Sequence, residues 1–172
     1  MNKTNARLSG GWWLCISIIA CIGGLFVLKS FTKRPSLSDA ISHKTTREVA
    51  LACTSDMATQ FHIHPHLEII INGERQEIPA KIGIQLTCMN SLHTHDATGK
   101  IHVESPEKRD FTLADFFAVW DRPFNKDQIL DYKVDDRHRI KETVNGTEIQ
   151  DFENTVLHDG DQIIITYEGK TH

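Results

Sequence analysis

Histidines at alternate positions are the residues of this chain best able to do chemistry. Neutral imidazole binds zinc, copper, iron and nickel, and a metal site needs several such ligands close together. Of the ten histidines in the sequence, six fall between positions 62 and 102: His62, His64, His66, His93, His95 and His102. An even distribution would put two or three there, so the clustering predicts a transition-metal site.

The first three histidines lie in a segment with a period of two. Residues 61–71 read FHIHPHLEIII, in which apolar side chains alternate with histidines. Successive side chains of a β-strand point to opposite faces, so a strand here would place His62 and His64 on one face. Pro65 has no N–H to donate, which favours the edge or the beginning of a strand and can turn His66 away.

The other three histidines flank a turn. A hairpin centred on Ala97-Thr98, within the turn-forming residues 96–99, would set His93 opposite His102. Directly opposed residues point to the same face, whereas a slip of one residue would send His102 to the other face. The sequence therefore predicts one site built from two segments. Its core ligands are His62, His64, His93 and His95, with His66 and His102 as alternates.

Copper or zinc is the expected cofactor, because magnesium and calcium prefer oxygen ligands. Asp96 or Glu104 can orient an imidazole through a hydrogen bond, and Glu68 can do the same or act as a base. Cys53 and Cys88 have two interpretations, a disulfide or a soft metal ligand. No nucleophile–base arrangement and no phosphate-binding loop is recognisable, so no catalytic residue is assigned.

The remaining patterns predict an α+β domain. Asn-Gly dipeptides at 72–73 and 145–146 are typical of hairpin turns. Residues 113–120 have apolar side chains at helical spacing, after Thr112 with Asp115 three positions on, which predicts a capped helix that packs on the core. A β-prone strand lies within LHDGDQIIITYEG at 157–169. This order favours a mixed or antiparallel sheet with one packed helix.

The N-terminal region carries no charged residue between Arg7 and Lys29. As a helix, this run can cross a hydrocarbon core of about 30 Å. We expect a transmembrane anchor at 1–29, a linker at 30–59 and an extracytoplasmic histidine-rich domain at 60–172. A cleaved signal peptide and a lipoprotein signal ending at Cys21 are alternatives. The flanking positive charges do not decide the orientation, and export is expected because short N-terminal anchors commonly export the domain that they carry.

Two resemblances add to these patterns. HIHPHLEIIINGERQEIPAKIGI, LHTHDATGKIHVESP and FTLADFFAVW together resemble an uncharacterised family of membrane-anchored extracytoplasmic proteins. That resemblance covers residues 61–120 and implies a membrane location without an activity. Residues 111–168 resemble β-grasp domains such as the small sulfur-carrier proteins. The chain ends in YEGKTH and not in the Gly-Gly tail of those carriers, so only the fold is implied.

These observations support three functions. The leading one is a membrane-tethered domain that binds copper or zinc for metal handling or sensing. The alternatives are a metal-dependent enzyme, in which three histidines leave a position for water, and a metal-free interaction domain of a membrane protein complex. A net charge of −4 and the lack of a long basic run outside the N-terminal region argue against a nucleic-acid partner.

Overall fold

The structure is a computed structural model that describes residues 43–55 and 59–170, all within one compact unit. Its helices are α1 (Thr46–Leu51) and α2 (Leu113–Trp120), with a 3₁₀ turn at Phe152–Asn154. The strands are β1 (Cys53–Thr54), β2 (Phe61–Ile63), β3 (His66–Ile71), β4 (Glu74–Gln76), β5 (Met89–Asn90), β6 (Leu92–His93), β7 (His102–Ser105), β8 (Phe124–Asn125), β9 (Gln128–Ile129), β10 (Tyr132–Lys133), β11 (His138–Val144), β12 (Thr147–Ile149) and β13 (Gln162–Gly169). The predicted α+β class, with mostly antiparallel sheets, is confirmed.

The main sheet has five strands in the order β12-β11-β13-β3-β4. Its central pair, β3 and β13, is parallel. Strand β4 pairs with β3 in one hairpin, and the β11–β12 hairpin pairs with β13 through β11. Both predicted Asn-Gly turns are present, with positive φ at Asn72, Gly73, Asn145 and Gly146. Leu67 and Ile69 of β3 are fully buried, as are their cross-strand partners Ile163 and Ile165. Alternation therefore gives this sheet one apolar face, which packs on the core.

Helix α2 covers the core as the sequence predicted. Thr112 and Asp115 form the expected capping box, and the helix ends at Asp121 in a left-handed conformation. Phe116 and Phe117 are buried almost completely, and each contributes roughly 1.5–3 kcal/mol by leaving water. The aromatic spacing of this segment therefore serves packing.

A second sheet has three strands in the order β2-β7-β6. Pro65 lies between β2 and β3, and its carbonyl accepts a hydrogen bond from the Ile101 amide. The chain consequently leaves the small sheet after Ile63 and joins the large sheet at His66. The histidine segment is thus divided between two sheets, because proline cannot continue the ladder of the first.

Two regions add detail to the sequence patterns. The return strand after Gly73 is short, since β4 ends at Gln76 and turns follow as far as residue 83. Helix α1 buries Val49 and Ala50, so the folded part includes residues upstream of position 60. The predicted anchor and the predicted linker up to residue 42 lie outside the described residues. Among the described helices, none has the length and apolar character needed to span a membrane.

Glu142 is a buried carboxyl group on β11. Burial raises the pKa of Glu142 to about 7, while hydrogen bonding by the Thr155 side chain and the Phe152 backbone opposes the rise and Asp151 and Glu153 add to it. Neither carboxyl oxygen has a partner of good hydrogen-bond geometry among the described residues. The ionised form is therefore poorly compensated, and it costs folding free energy.

We expect Glu142→Gln to stabilise the protein in a pH-dependent way. A carboxyl group whose pKa is raised in the folded state contributes fully to the free energy of unfolding below its unfolded pKa of about 4.5. That stabilising contribution is lost as the pH rises through the folded pKa of about 7. The increase in the free energy of unfolding that the substitution causes should be larger at pH 8 than at pH 5 by on the order of 2–3 kcal/mol. Urea denaturation at both pH values measures it. The control is Glu148→Gln, an exposed residue on β12, and equal gains at both pH values would contradict the prediction.

Candidate metal centre

One face of the small sheet carries the histidines. His93 on β6 lies directly opposite His102 on β7, as predicted, and His62 on β2 lies opposite Glu104. His64 follows His62 at the next position of the same parity. Because opposed residues share a face, these side chains point to the same side. Strand register therefore brings the two sequence segments together.

The other face of the small sheet holds the register in place. Ile63, Val103 and Leu92 lie in one row across the three strands. Leu92 and Val103 are fully buried and Ile63 is 8% exposed. A slip of one residue in the register would turn this apolar row towards the histidine face and the histidines towards the core. The free energy gained by burying these apolar side chains would then be lost.

The imidazole nitrogens converge in two groups of three that share one residue. His62 and His64 form the first group with His102, and His93 and His95 form the second with His102. Within each group the ligand atoms lie within 4.8 Å of one another. Around a tetrahedral ion with bonds of 2.0–2.1 Å, ligand nitrogens are about 3.3 Å apart. Small side-chain rotations can therefore bring either group onto an ion.

His93 has the orientation of a metal ligand. Its Nδ1 lies 3.1 Å from the Asn90 carbonyl oxygen, a contact in which Nδ1–H donates. The proton is then on Nδ1, and Nε2 carries the free lone pair. This Nε2 is buried and has no hydrogen-bond partner among the described residues. A buried nitrogen with an unused lone pair is costly unless something binds it.

Two carboxylates support the first group of histidines. Nε2 of His62 lies 3.2 Å from Glu104, and Nδ1 of His64 lies 3.8 Å from Asp159. The same Asp159 carboxylate accepts a hydrogen bond from the His64 backbone N–H at 2.8 Å. Carboxylates in this position orient an imidazole and raise its basicity as a ligand. Asp96, the other predicted supporter, instead accepts hydrogen bonds from Thr98 within the turn.

Burial and three neighbouring histidines keep His102, the residue common to both groups, neutral. Burial, together with nearby His95, His64 and His93, lowers the pKa of His102 to about 4, and Glu104 opposes the change. Burial also lowers the pKa of His93, against the Asn90 carbonyl and Glu104. Both rings are therefore neutral near pH 7, which is the form that binds metal ions.

The structure leaves some predicted residues out of the two groups. His66 lies on β3, where its backbone forms an isolated antiparallel β-bridge with Lys100. It belongs to neither group. A regular hairpin centred on Ala97-Thr98 would set Lys100 opposite His95, but Lys100 pairs with His66 instead. Glu68 lies 3.8 Å from Arg75 and belongs to neither group. His102, an alternate ligand in the sequence prediction, is the residue common to both groups.

A disulfide supports the strand that orients His93. Cys53 and Cys88 are bonded, with Cα atoms 5.3 Å apart, so the disulfide interpretation of these cysteines is confirmed over the metal-ligand one. The bond joins β1 to the chain just before β5, and Cys53 pairs with Asn90. The Asn90 side chain also donates to the Ala50 carbonyl. The carbonyl that fixes the His93 tautomer is therefore anchored on two sides.

Asn90 and Asp159 are the two residues that sequence reasoning missed. Asn90 precedes His93 by three positions, and its contribution is a backbone carbonyl, which any residue type would supply. Asp159 lies in the turn before β13 and is close to His64 only because β13 pairs with β3. No local pattern reports such a long-range contact.

Comparison with protein-family models, with curated proteins and with solved structures finds no significant match for this chain.

We expect removal of the disulfide to destabilise the domain. Cys53→Ser combined with Cys88→Ser opens a loop with a sequence separation of 35, and the loss expected from chain entropy is about 3–4 kcal/mol. Urea denaturation under oxidising conditions measures the difference. A reducing agent should lower the stability of the wild-type chain and leave the double variant unchanged. Equal stability of oxidised wild type and variant would contradict the prediction.

Proposed function

We propose that this protein binds a transition metal ion, copper or zinc, through its clustered histidines, and that it serves in metal handling or sensing. The observation that carries the proposal is the convergence of the imidazole nitrogens in two groups within 4.8 Å. The buried Nε2 of His93, which has no hydrogen-bond partner in the described part of the chain, supports it independently. Histidine nitrogens without oxygen ligands favour copper or zinc over magnesium or calcium.

Binding is favoured over catalysis by the positions of the carboxylates. Three histidines leave one position of a tetrahedral ion open, as in catalytic zinc sites. A hydrolytic centre would also need a base beside the metal-bound water. Glu104 and Asp159 instead lie against His62 and His64, where they orient ligands. The carboxylates closest to the cluster are thus used to hold the imidazoles.

The cellular setting of this function is part of the proposal. The uncharged run before Lys29 supports a membrane anchor, and the Cys53–Cys88 disulfide supports a domain outside the cytoplasm, where such bonds persist. Membership of the membrane-anchored family is proposed from the sequence resemblance of residues 61–120, and a membrane protein complex is the partner proposed for the anchored chain.

The scaffold that we propose is of the β-grasp type. Strand β13 lies between the β3–β4 and β11–β12 hairpins and is parallel to β3, and α2 lies between those hairpins in the chain. This arrangement supports the assignment. The five-stranded sheet includes β3 and β4, which precede residue 111 in the chain. The likeness to β-grasp domains therefore extends beyond residues 111–168. Since a fold does not define an activity, the proposed function depends on the histidines alone.

We expect His102→Ala to weaken metal binding more than about 100-fold. His102 belongs to both groups, and loss of a residue that only supports a ligand already costs 10–100-fold. The measurement is calorimetric titration of the metal-stripped, full-length chain, purified in detergent without a polyhistidine tag, with Zn²⁺ and with Cu²⁺. Metal should also raise the melting temperature of the wild-type chain, because an ion that binds the folded state stabilises it.

The matched control for this experiment is His66→Ala, which removes a neighbouring histidine outside both groups. Its affinity should equal that of the wild-type chain. If neither ion binds the wild-type chain, or if both variants bind as tightly as the wild type, the proposed function is wrong.

We expect Glu104→Gln to lower metal affinity by about 10–100-fold without removing a ligand. The amide can still accept a hydrogen bond from His62, but it no longer supplies the negative charge that strengthens the imidazole as a ligand. Competition with a chromophoric chelator measures the affinity. Glu68→Gln is the control, because Glu68 lies against Arg75. An equal effect of the two substitutions would argue for a general electrostatic cause.

A further inference from the structure

We propose that the histidine cluster is a two-ion centre in which the His102 ring bridges the ions, one held by His62 and His64 and the other by His93 and His95. This inference rests on the proposed function and adds the number of ions and the role of the shared residue. Neither group offers more than three histidines, so each ion keeps a position for a further small ligand such as water.

The position of the His102 ring carries the inference. It lies 4.6 Å from the His64 ring and 4.5 Å from the His95 ring, measured between centroids. Its distances to the outer members of the two pairs are 5.9 Å for His62 and 5.4 Å for His93. Among the described residues, ring contacts connect the two pairs only through His102. The ring therefore lies between two ligand pairs, and it has two nitrogens to offer.

A single ion does not account for all five histidines. The nitrogens of His62 and His64 do not lie within 4.8 Å of those of His93 and His95 as one group. An ion held by either group would leave two imidazoles of the other pair crowded together, with rings 4.4 Å apart for His62–His64 or 4.9 Å apart for His93–His95. The buried Nε2 of His93 is satisfied only if the second group is occupied. Two ions use every imidazole of the cluster.

The charges around the cluster suit two divalent ions. Glu104 lies against His62 and Asp159 against His64. Asp96 is close enough to His102 for the two groups to interact electrostatically. Three carboxylates and a bridging imidazolate supply four negative charges beside two divalent ions. Neutralisation of this kind is what a pair of close cations needs.

The bridge has a proton balance that can be measured. A neutral imidazole has one lone pair and one N–H, so His102 serves the first ion without losing a proton. When the second ion binds, the remaining N–H bond of His102 breaks, its electron pair forms the bond to that ion, and the proton passes to the buffer. Binding of the second ion should therefore release one proton from His102, which calorimetry in buffers of different ionisation enthalpy detects.

The test uses the metal-stripped, full-length chain without a polyhistidine tag, loaded with Cu²⁺ or Zn²⁺ and desalted. Elemental analysis should find two ions per chain. With Cu²⁺, electron paramagnetic resonance should show an isolated ion at one equivalent. At two equivalents the integrated signal should fall below that of two independent ions, because an imidazolate bridge couples their spins. This measurement needs no variant and does not depend on the folding of one.

Variants then assign the two ions to the two pairs. His62→Ala with His64→Ala should bind one ion, and so should His93→Ala with His95→Ala, each with an uncoupled signal. His66→Ala with His158→Ala is the matched control, since both residues lie outside the cluster, and it should still bind two coupled ions.

The outcomes separate the two proposals. One ion per chain overturns the two-ion centre and leaves the proposed function standing. Two ions with the full, uncoupled signal also overturn the shared bridge. No bound ion overturns both proposals. Two coupled ions in the wild-type chain, reduced to one in each half-cluster variant, support the inference.

Discussion

The pairing of β6 with β7 is the constraint on which the candidate site depends. One register places Leu92, Val103 and Ile63 in a buried row and, on the opposite face, sets His93 against His102. Within these strands the site therefore needs no special backbone geometry. It follows from the burial of three apolar side chains together with the two-residue period of a strand. The same free energy that folds the small sheet also brings the ligands together.

Two glycines keep the histidine segments close to the rest of the domain. A Cβ at Gly99 would lie 2.2 Å from the Leu67 carbonyl oxygen, and one at Gly83 would lie 2.5 Å from the Leu92 carbonyl oxygen. Both have positive φ, which side chains rarely adopt. The turn that carries His95 thus contacts the large sheet directly. Larger residues at either position would push a ligand segment away from the core.

The sequence predicted those features that depend on short-range patterns. Asn-Gly turns, the capped helix and the opposition of His93 to His102 follow from periodicity and turn chemistry within a few residues. The separation of His66 from His64 was foreseen as an effect of Pro65, but its new neighbour, Lys100, was not. Asp159 reaches His64 through the pairing of β13 with β3, and a single sequence carries no record of such a distant contact. The Asn90 carbonyl is close to His93 in the chain, but it is a backbone group that any residue type would supply. The finding that His102 is central likewise required three-dimensional distances.

The distribution of the ligands along the chain has a consequence for where an ion would be acquired. His64 and His93 are separated by the whole β3–β4 hairpin, the turns after it and β5. In an unfolded chain the histidines of one segment are separate from those of the other, and such partial sets bind a metal ion more weakly than a complete set. A chain that crosses a membrane before it folds would therefore arrive without tightly held metal. Its ion would come from the compartment in which the small sheet forms. The metals present in that compartment would therefore determine which ion the protein acquires.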